Sequence, residues 1–216
     1  TGHRGFIGSH LLDSLKSTFD IIFPPDYYIS PTLDLSEALS KAETLIHLGW
    51  SGYPASDSPN SYETSLYQYR CAYNLFSQAV NSNLRHIIFF SSGGTVYSGS
   101  SHARSEEAQL APISPYGIFK LTTEFSLSAL CQNSNSHYTN LRVSNPYGPR
   151  SSLSRSQGII NHLFDSAINQ SPFTLWSPLE TTRDYLELDD LSLVVQHILH
   201  NSTTYYDQTL NVGTGV

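Results

Sequence analysis

Tyr116 and Lys120 stand four residues apart in the stretch Ser114-Pro115-Tyr116-Gly117-Ile118-Phe119-Lys120. A proline at this place suits the first turn of a helix. On a helix, a spacing of four puts the phenol and the ammonium on one face. A neighbouring cation stabilises a phenolate, so the tyrosine becomes a base usable near neutral pH. Many solvated helix faces carry the same pattern, so its meaning depends on what surrounds it. Just upstream, the apolar run Arg85 to Phe90 breaks into Ser91-Ser92-Gly93-Gly94-Thr95-Val96-Tyr97. That change of character predicts a strand delivering small hydroxyl residues to its C-terminal end.

A second constellation opens the chain. Thr1-Gly2-His3-Arg4-Gly5-Phe6-Ile7-Gly8 is a glycine-rich turn leading into a helix over Ser9 to Lys16. Glycines at this spacing permit a tight turn, close approach of backbone to a pyrophosphate and close helix–strand packing. The helix N-terminus then presents N–H groups to an anion. Asp20 to Phe23 reads as the next strand, and Asp26 lies 18 residues after Gly8, where a carboxylate accepts hydrogen bonds from an adenosine ribose. Asp26 can equally be a solvated loop residue beside Pro24-Pro25. No Arg or Lys cluster stands there to meet a 2′-phosphate, which favours NAD over NADP.

The elements that must position these groups follow in alternation. Leu33-Asp34-Leu35 precedes a helical segment to Lys41, and Thr44 to Leu48 is a strand ending in His47-Leu48-Gly49-Trp50. His47 reads as a packed histidine. A helix over Tyr62 to Asn81, the strand Arg85 to Phe90, a helix over Tyr116 to Cys131 and a strand over Tyr138 to Val143 come next. Strands alternating with helices predict an α/β fold with a doubly wound parallel sheet and ligands at the strand C-termini. Each chemically suggestive cluster falls at such an end.

Composition narrows the partners. The 216 residues are 39% hydrophobic and 13% charged, with a net charge of −7, enough to bury a core and without a basic stripe for nucleic acid. No apolar run reaches membrane-spanning length, and no metal is expected. Cys71 and Cys131 are too few for a disulfide framework and read as reduced, buried, cytoplasmic cysteines. Thr1 falls inside the glycine motif and Asn211-Val212-Gly213-Thr214-Gly215-Val216 runs a strand into a turn, so both ends are expected to lie within a longer protein.

Taken in order, the motifs resemble the extended short-chain dehydrogenase/reductase family, in its NAD-dependent nucleotide-sugar epimerase/dehydratase branch, with UDP-glucose 4-epimerases as the nearest type. The resemblance is carried by Thr1-Gly2-x-x-Gly5-Phe6-Ile7-Gly8, Ile46-His47-Leu48-Gly49, Asn74-Leu75 and Ser91-Ser92-Gly93-Gly94-Thr95-Val96-Tyr97. It continues through Tyr116-x-x-x-Lys120, Leu141-Arg142-x-x-Asn145-Pro146-Tyr147-Gly148-Pro149 and Thr182-Arg183-Asp184-Tyr185-x-x-Leu188-Asp189-Asp190. It implies a Rossmann-type NAD domain over residues 1–150 and part of a smaller nucleotide-sugar domain over 151–216, with the chain crossing back to the sheet. By resemblance, NAD is contacted by Gly2, Gly5, Phe6, Ile7, Gly8, Asp26, Asp34, Leu35, Leu48, Gly49, Tyr116, Lys120 and Ser144. Asn145 and Arg183 would meet the sugar nucleotide, a UDP- or dTDP-hexose; alternatively Arg183 pairs with Asp184 or Glu187 on the surface. A homodimer through the helices at Tyr62–Asn81 and Tyr116–Cys131 is also implied, as is a cytoplasmic role in surface polysaccharide synthesis.

The departures from the family pattern bear on the reaction. Where the family places a catalytic Ser or Thr, three residues before the Val, this chain has Gly93. Ser92 or Thr95 would then supply the hydroxyl, and the sequence does not choose between them. Dehydratases resemble one another in an Asp-Glu pair after that position, whereas Gly94 and Thr95 stand here. With no acid to protonate a leaving hydroxyl, epimerisation is favoured over elimination. Gln68 replaces a family Asn, and Ser177-Pro178-Leu179 replaces a glycine-rich loop.

Overall fold

The strand expected before the hydroxyl cluster is the centre of the molecule. In a computed structural model, residues 1–24, 29–51, 61–97, 103–149, 158–175 and 178–215 are described. In chain order the first half forms α1 (Phe6–Leu15), α2 (Ser36–Leu39), β1 (Thr44–His47), α3 (Ser61–Asn81), β2 (His86–Ser92) and a single helical turn, α4 (Gly93–Val96). There follow α5 (Pro115–Gln132), β3 (His137–Val143), β4 (Asn145–Tyr147), α6 (Ile159–Ile168), β5 (Tyr185–Glu187), α7 (Leu188–His200), a 3₁₀ turn (Ser202–Tyr205) and β6 (Gln208–Val212).

β1, β2, β3 and β6 lie side by side in that order, every pair parallel. Side chains alternate across a strand, and β2 uses both faces for burial. Ile88 and Phe90 join Leu11 and Leu15 of α1 with Leu191, Val195 and Ile198 of α7. Ile87 and Phe89 join Leu75, Phe76 and Ala79 of α3 with Leu127 and Cys131 of α5. The result is a helix–sheet–helix sandwich, the doubly wound parallel architecture that the alternation predicts. β4 and β5 form a separate parallel pair beside it.

The stretch expected as the second strand, Asp20 to Phe23, is not one: it runs without regular structure, with Ile21, Ile22 and Phe23 exposed. A strand exists only through its neighbour's hydrogen bonds. Between this stretch and β1 lies a cavity of about 590 Å³, lined on one side by Ile21–Pro24 and on the other by Thr44–Ile46. No described strand occupies it; the outer edge of β1 is met at its end by Thr1, whose amine donates to the Ile46 carbonyl at 2.7 Å and whose carbonyl accepts from the Leu48 amide at 3.3 Å, and the 20–23 segment forms no ladder. Asp26 lies outside the described residues. Cys71 and Cys131 are free and buried, and burial pushes the Cys131 thiol up to about 12. Among the described residues no helix is long and apolar enough to cross a membrane.

Candidate active site

Because the four strands are parallel, their C-terminal ends open on one side of the sheet, and the chain leaves them through Leu48–Trp50, Gly93–Val96, Ser144 and Gly213–Gly215. The glycine turn reaches the same edge. Gly2 adopts φ +75°, and a Cβ there would stand 2.6 Å from the Gly49 amide nitrogen, so only glycine lets the turn lie on the end of β1. The Gly5 amide closes the turn on the Gly2 carbonyl at 3.0 Å. α1 begins at Phe6 with no side-chain cap, which leaves its first-turn N–H groups for an anion. Gly2, Gly5, Phe6, Ile7, Gly8, Leu48 and Gly49 are thus brought together.

Asp34 and Leu35 are held differently. The Asp34 carboxylate accepts from the Ser36 amide at 2.9 Å and the Ser36 hydroxyl at 2.7 Å, which keeps its pKa below the usual carboxylate value. Leu35 is buried, and its amide donates to Gln78 at 2.6 Å. Asn74 and Gln78 of α3 donate to the Leu33 carbonyl at 3.1 and 2.7 Å. The segment is therefore fixed by the long helix behind it.

Tyr116 is placed by the start of α5. Ser114 caps the helix by accepting from the Gly117 amide at 3.2 Å, and Pro115 fills its first position. The tyrosine ring stands edge-on to Trp50, centroids 6.1 Å apart. Lys120, one turn later, is buried; its ammonium donates to the Phe90 carbonyl at 2.7 Å and lies 4.3 Å from the Trp50 ring centroid and 5.7 Å from that of Tyr116. The shared face predicted from the spacing is present.

The two candidate hydroxyls are placed differently. β2 continues to Ser92 before the α4 turn begins, and the Ser92 side chain lies close enough to the Tyr116 phenol to lower its pKa. Thr95 Oγ1 is buried without a protein partner. Gly93 is close to β3: a Cβ there would stand 2.9 Å from the Arg142 carbonyl oxygen, so a hydroxyl residue does not fit without moving backbone. Burial pushes the Tyr116 phenol up to about 12, an effect that Ser92 opposes. Burial pulls the Lys120 amine down to about 7, opposed by the charge of Glu124.

Three polar atoms in successive strand-end segments are buried and have no partner in the protein: Trp50 Nε1 after β1, Thr95 Oγ1 after β2 and Ser144 Oγ after β3. Buried polar groups are almost always paired, so this crevice fits a polar ligand lying across the strand ends, above a glycine turn suited to a pyrophosphate. The cavity of about 590 Å³ lies elsewhere, beside β1, and neither Tyr116 nor Lys120 lines it. Among the described residues no group of His, Cys, Asp and Glu could hold a metal ion.

The remaining two expected residues belong to the β4–β5 pair. Asn145 donates to the Asp184 carbonyl through its amide at 3.1 Å and through Nδ2 at 2.9 Å. Arg183 is exposed and donates to the Thr182 carbonyl at 3.0 Å; no ion pair with Asp184 or Glu187 forms. Both line a cavity of about 290 Å³ with Tyr147, Asn161 and Tyr185. Sequence reasoning missed Trp50, which covers Lys120, and the buried pair Glu124–Arg142. An arginine inside the apolar strand Leu141-Arg142-Val143 was a signal, since a buried charge demands a partner.

A doubly wound sheet with a glycine turn, a Tyr–Lys helix and a hydroxyl at the neighbouring strand end defines a dinucleotide-dependent enzyme of the short-chain type. The chain belongs to the NAD dependent epimerase/dehydratase family, whose pattern it matches over residues 1–213. It is 28% identical, over 100% of its own length and 75% of the relative's, to a dTDP-4-dehydro-6-deoxyglucose reductase of Escherichia coli. The UDP-glucose 4-epimerase of Thermotoga maritima, solved with UDP-glucose, shares its fold at a TM-score of 0.83 and 23% identity, covering 100% of this chain and 76% of that one. The UDP-glucuronic acid 4-epimerase of Bacillus cereus, solved with UDP-glucuronic acid and NAD, does so at 0.85 and 22%, covering 98% and 76%. The family is NAD-dependent.

Proposed function

We propose that the chain is the catalytic region of a nucleotide-sugar 4-epimerase that inverts a UDP-hexose through a transient 4-keto sugar. The observation that carries this reading is the convergence of the Ser92 hydroxyl and the Lys120 face on Tyr116, beside the unpaired polar atoms of the crevice. Tyr116, as phenolate, takes the proton of the sugar hydroxyl; Ser92 donates to the phenolate oxygen, and Lys120 supplies the positive charge that favours it. NAD bound in the crevice supplies a hydride acceptor and donor and the positive charge of its nicotinamide ring. Ser144 and Thr95 carry hydroxyls turned away from every protein partner and available to ligand. Asn145 and Arg183 line the second cavity, where a guanidinium fork suits a diphosphate. Gly94 and Thr95 offer no carboxylic acid for elimination, which supports epimerisation over dehydration.

The exposed Tyr62 and Tyr73 of α3 and the exposed Ile118 and Phe125 of α5 support a homodimer in which these two helices meet their copies. A cytoplasmic place in surface polysaccharide synthesis goes with that substrate class. A second reading, a nucleotide-sugar reductase, is favoured by the Escherichia coli relative. The test is incubation of the full-length protein with a panel of UDP- and dTDP-hexoses, with products identified by NMR. An epimerase interconverts two hexoses with no net change in the cofactor's redox state; stoichiometric oxidation of NADH against a keto sugar identifies the reductase instead.

A further inference from the structure

Behind the tyrosine lies a line of buried charge. Tyr116, Lys120 and Glu124 follow one another at four-residue intervals along one face of α5. Glu124 is 2% exposed and Arg142, on β3, 5%. The guanidinium meets the carboxylate as a fork: Nη2 donates to Oε2 at 2.7 Å, and Nε reaches both oxygens at 3.2 Å. Ser91, at the end of β2, donates a short hydrogen bond to Oε1. The other arm of Arg142 donates to the Tyr97 hydroxyl at 2.7 Å and the Glu106 carbonyl at 3.2 Å. The carboxylate is therefore fixed from β2 and β3 at once. As a stabilising device such a pair is weak, because apolar residues of similar volume serve as well. Its position one turn beyond Lys120 gives it another role.

The Lys120 ammonium faces the Phe90 carbonyl, the rings of Trp50, Phe89 and Tyr116, and the imidazole of His47 at the end of β1. Burial holds His47 well below its ordinary value, so it is neutral. The Arg142 guanidinium is paired with Glu124. Of the described carboxylates, Glu124 is the one whose charge acts on Lys120. We propose that Glu124 is a positioning residue: clamped by Arg142 and Ser91, its carboxylate keeps Lys120 charged beside the catalytic tyrosine. The proposal rests on the reading of Tyr116 as the base.

The signature of this role is a particular change in pH dependence. The working form has Tyr116 deprotonated and Lys120 protonated. Removing one proton from the pair gives either this form or the one with neutral Lys120, in a ratio set by the difference of the two pKa values and independent of pH. With Lys120 near 7 and Tyr116 near 12, kcat/KM rises with pH to a plateau. The midpoint follows Lys120, and the plateau follows the ratio. Glu124→Gln lowers Lys120 and leaves the influences on Tyr116, burial and Ser92, in place. The midpoint then falls by about one pH unit or more and the plateau about tenfold per unit. Below the midpoint the variant and the wild type coincide.

The experiment measures kcat/KM on UDP-hexose between pH 5 and 9 for the full-length wild type, Glu124→Gln and Arg142→Lys. The arginine variant loses the fork but keeps both charges, so its midpoint stays with the wild type. A uniform loss at every pH in both variants marks a purely structural pair and overturns the proposal. A second readout needs no turnover: the part of the tryptophan emission that disappears in Trp50→Phe reports the ammonium lying over that indole. Its pH midpoint falls in Glu124→Gln if the proposal holds and stays in place if it does not, whether or not any UDP-hexose is converted. Should Glu124→Gln fail to fold, the double variant Glu124→Gln/Arg142→Met removes the carboxylate without leaving a buried guanidinium unpaired, and an unshifted emission midpoint there overturns the proposal.

Discussion

Replacing Ser92 with alanine separates the two hydroxyls that the sequence offers. Ser92 acts on the Tyr116 phenol, whereas Thr95 Oγ1 is buried with no hydrogen-bond partner in the protein. A hydrogen bond to a charged acceptor contributes about 1.5–3 kcal/mol, and about 1.4 kcal/mol corresponds to one pKa unit. Ser92→Ala therefore raises the tyrosine by roughly one to two units, from a value that burial already holds near 12. The share of the pair carrying phenolate and ammonium together falls by the same factor, so kcat/KM drops about 10- to 100-fold. The sign is distinctive: the loss is equal at every pH, because the midpoint belongs to Lys120 while only the tyrosine has moved. The assay is a pH series of initial rates on UDP-hexose for Ser92→Ala and Thr95→Val, with circular dichroism to confirm folding. If Ser92→Ala stays within about twofold of the wild type while Thr95→Val loses tenfold or more, the hydroxyl assignment is refuted.

Other outcomes follow from the same geometry. Gly93→Ser drives a Cβ toward the Arg142 carbonyl oxygen, so it should cost about 1–3 kcal/mol of stability; a thermal melt matching the wild type would show that the backbone yields freely. Arg183→Ala should raise KM for a UDP-hexose about tenfold or more with kcat little changed, since a lost charge-assisted hydrogen bond acts on ground state and transition state alike; steady-state kinetics decide it. His86 is held down to about 4 by burial, below its ordinary 6.5. The unfolded chain therefore takes up the proton first as pH falls. Stability is complete above about 6.5 and is lost toward 4 at about 1.4 kcal/mol per unit. Urea unfolding at pH 7 and pH 5 should show this slope, and His86→Gln should flatten it.

The parts of the molecule legible from its letters are those whose cause is local. β2 announces itself by an apolar run, α5 by Ser114-Pro115 at its start, and the shared face of Tyr116 and Lys120 by a spacing of four. What stayed hidden depends on partners distant in the chain. Asp20 to Phe23 has the composition of a strand, yet a cavity separates it from β1 and it forms no ladder. The choice of Ser92 over Thr95 turns on whether β2 ends before or after residue 92, a difference of one position that sends the side chain elsewhere. Glu124 sat at a suggestive interval from Lys120, but intervals on a helix say nothing of burial. Only Arg142, brought across from β3, gives that carboxylate its meaning. Trp50 follows a strand end where a small residue would leave Lys120 open to water, and no local rule marks it.

The proposed base and the residues proposed to meet the sugar nucleotide stand on separate platforms. Ser92, Tyr116 and Lys120 come from the end of β2 and the first turns of α5, which pack against one another in the main sandwich. Asn145 and Arg183 stand on or just before the short β4–β5 ribbon, whose register is set by its own pairing and by Asp184. Exchanges in the ribbon can alter which sugar is presented without retuning the proton chemistry. Divergence of substrate over a constant base is then the easy evolutionary path, and a fold shared by epimerases of different UDP-sugars is the pattern such modularity leaves behind.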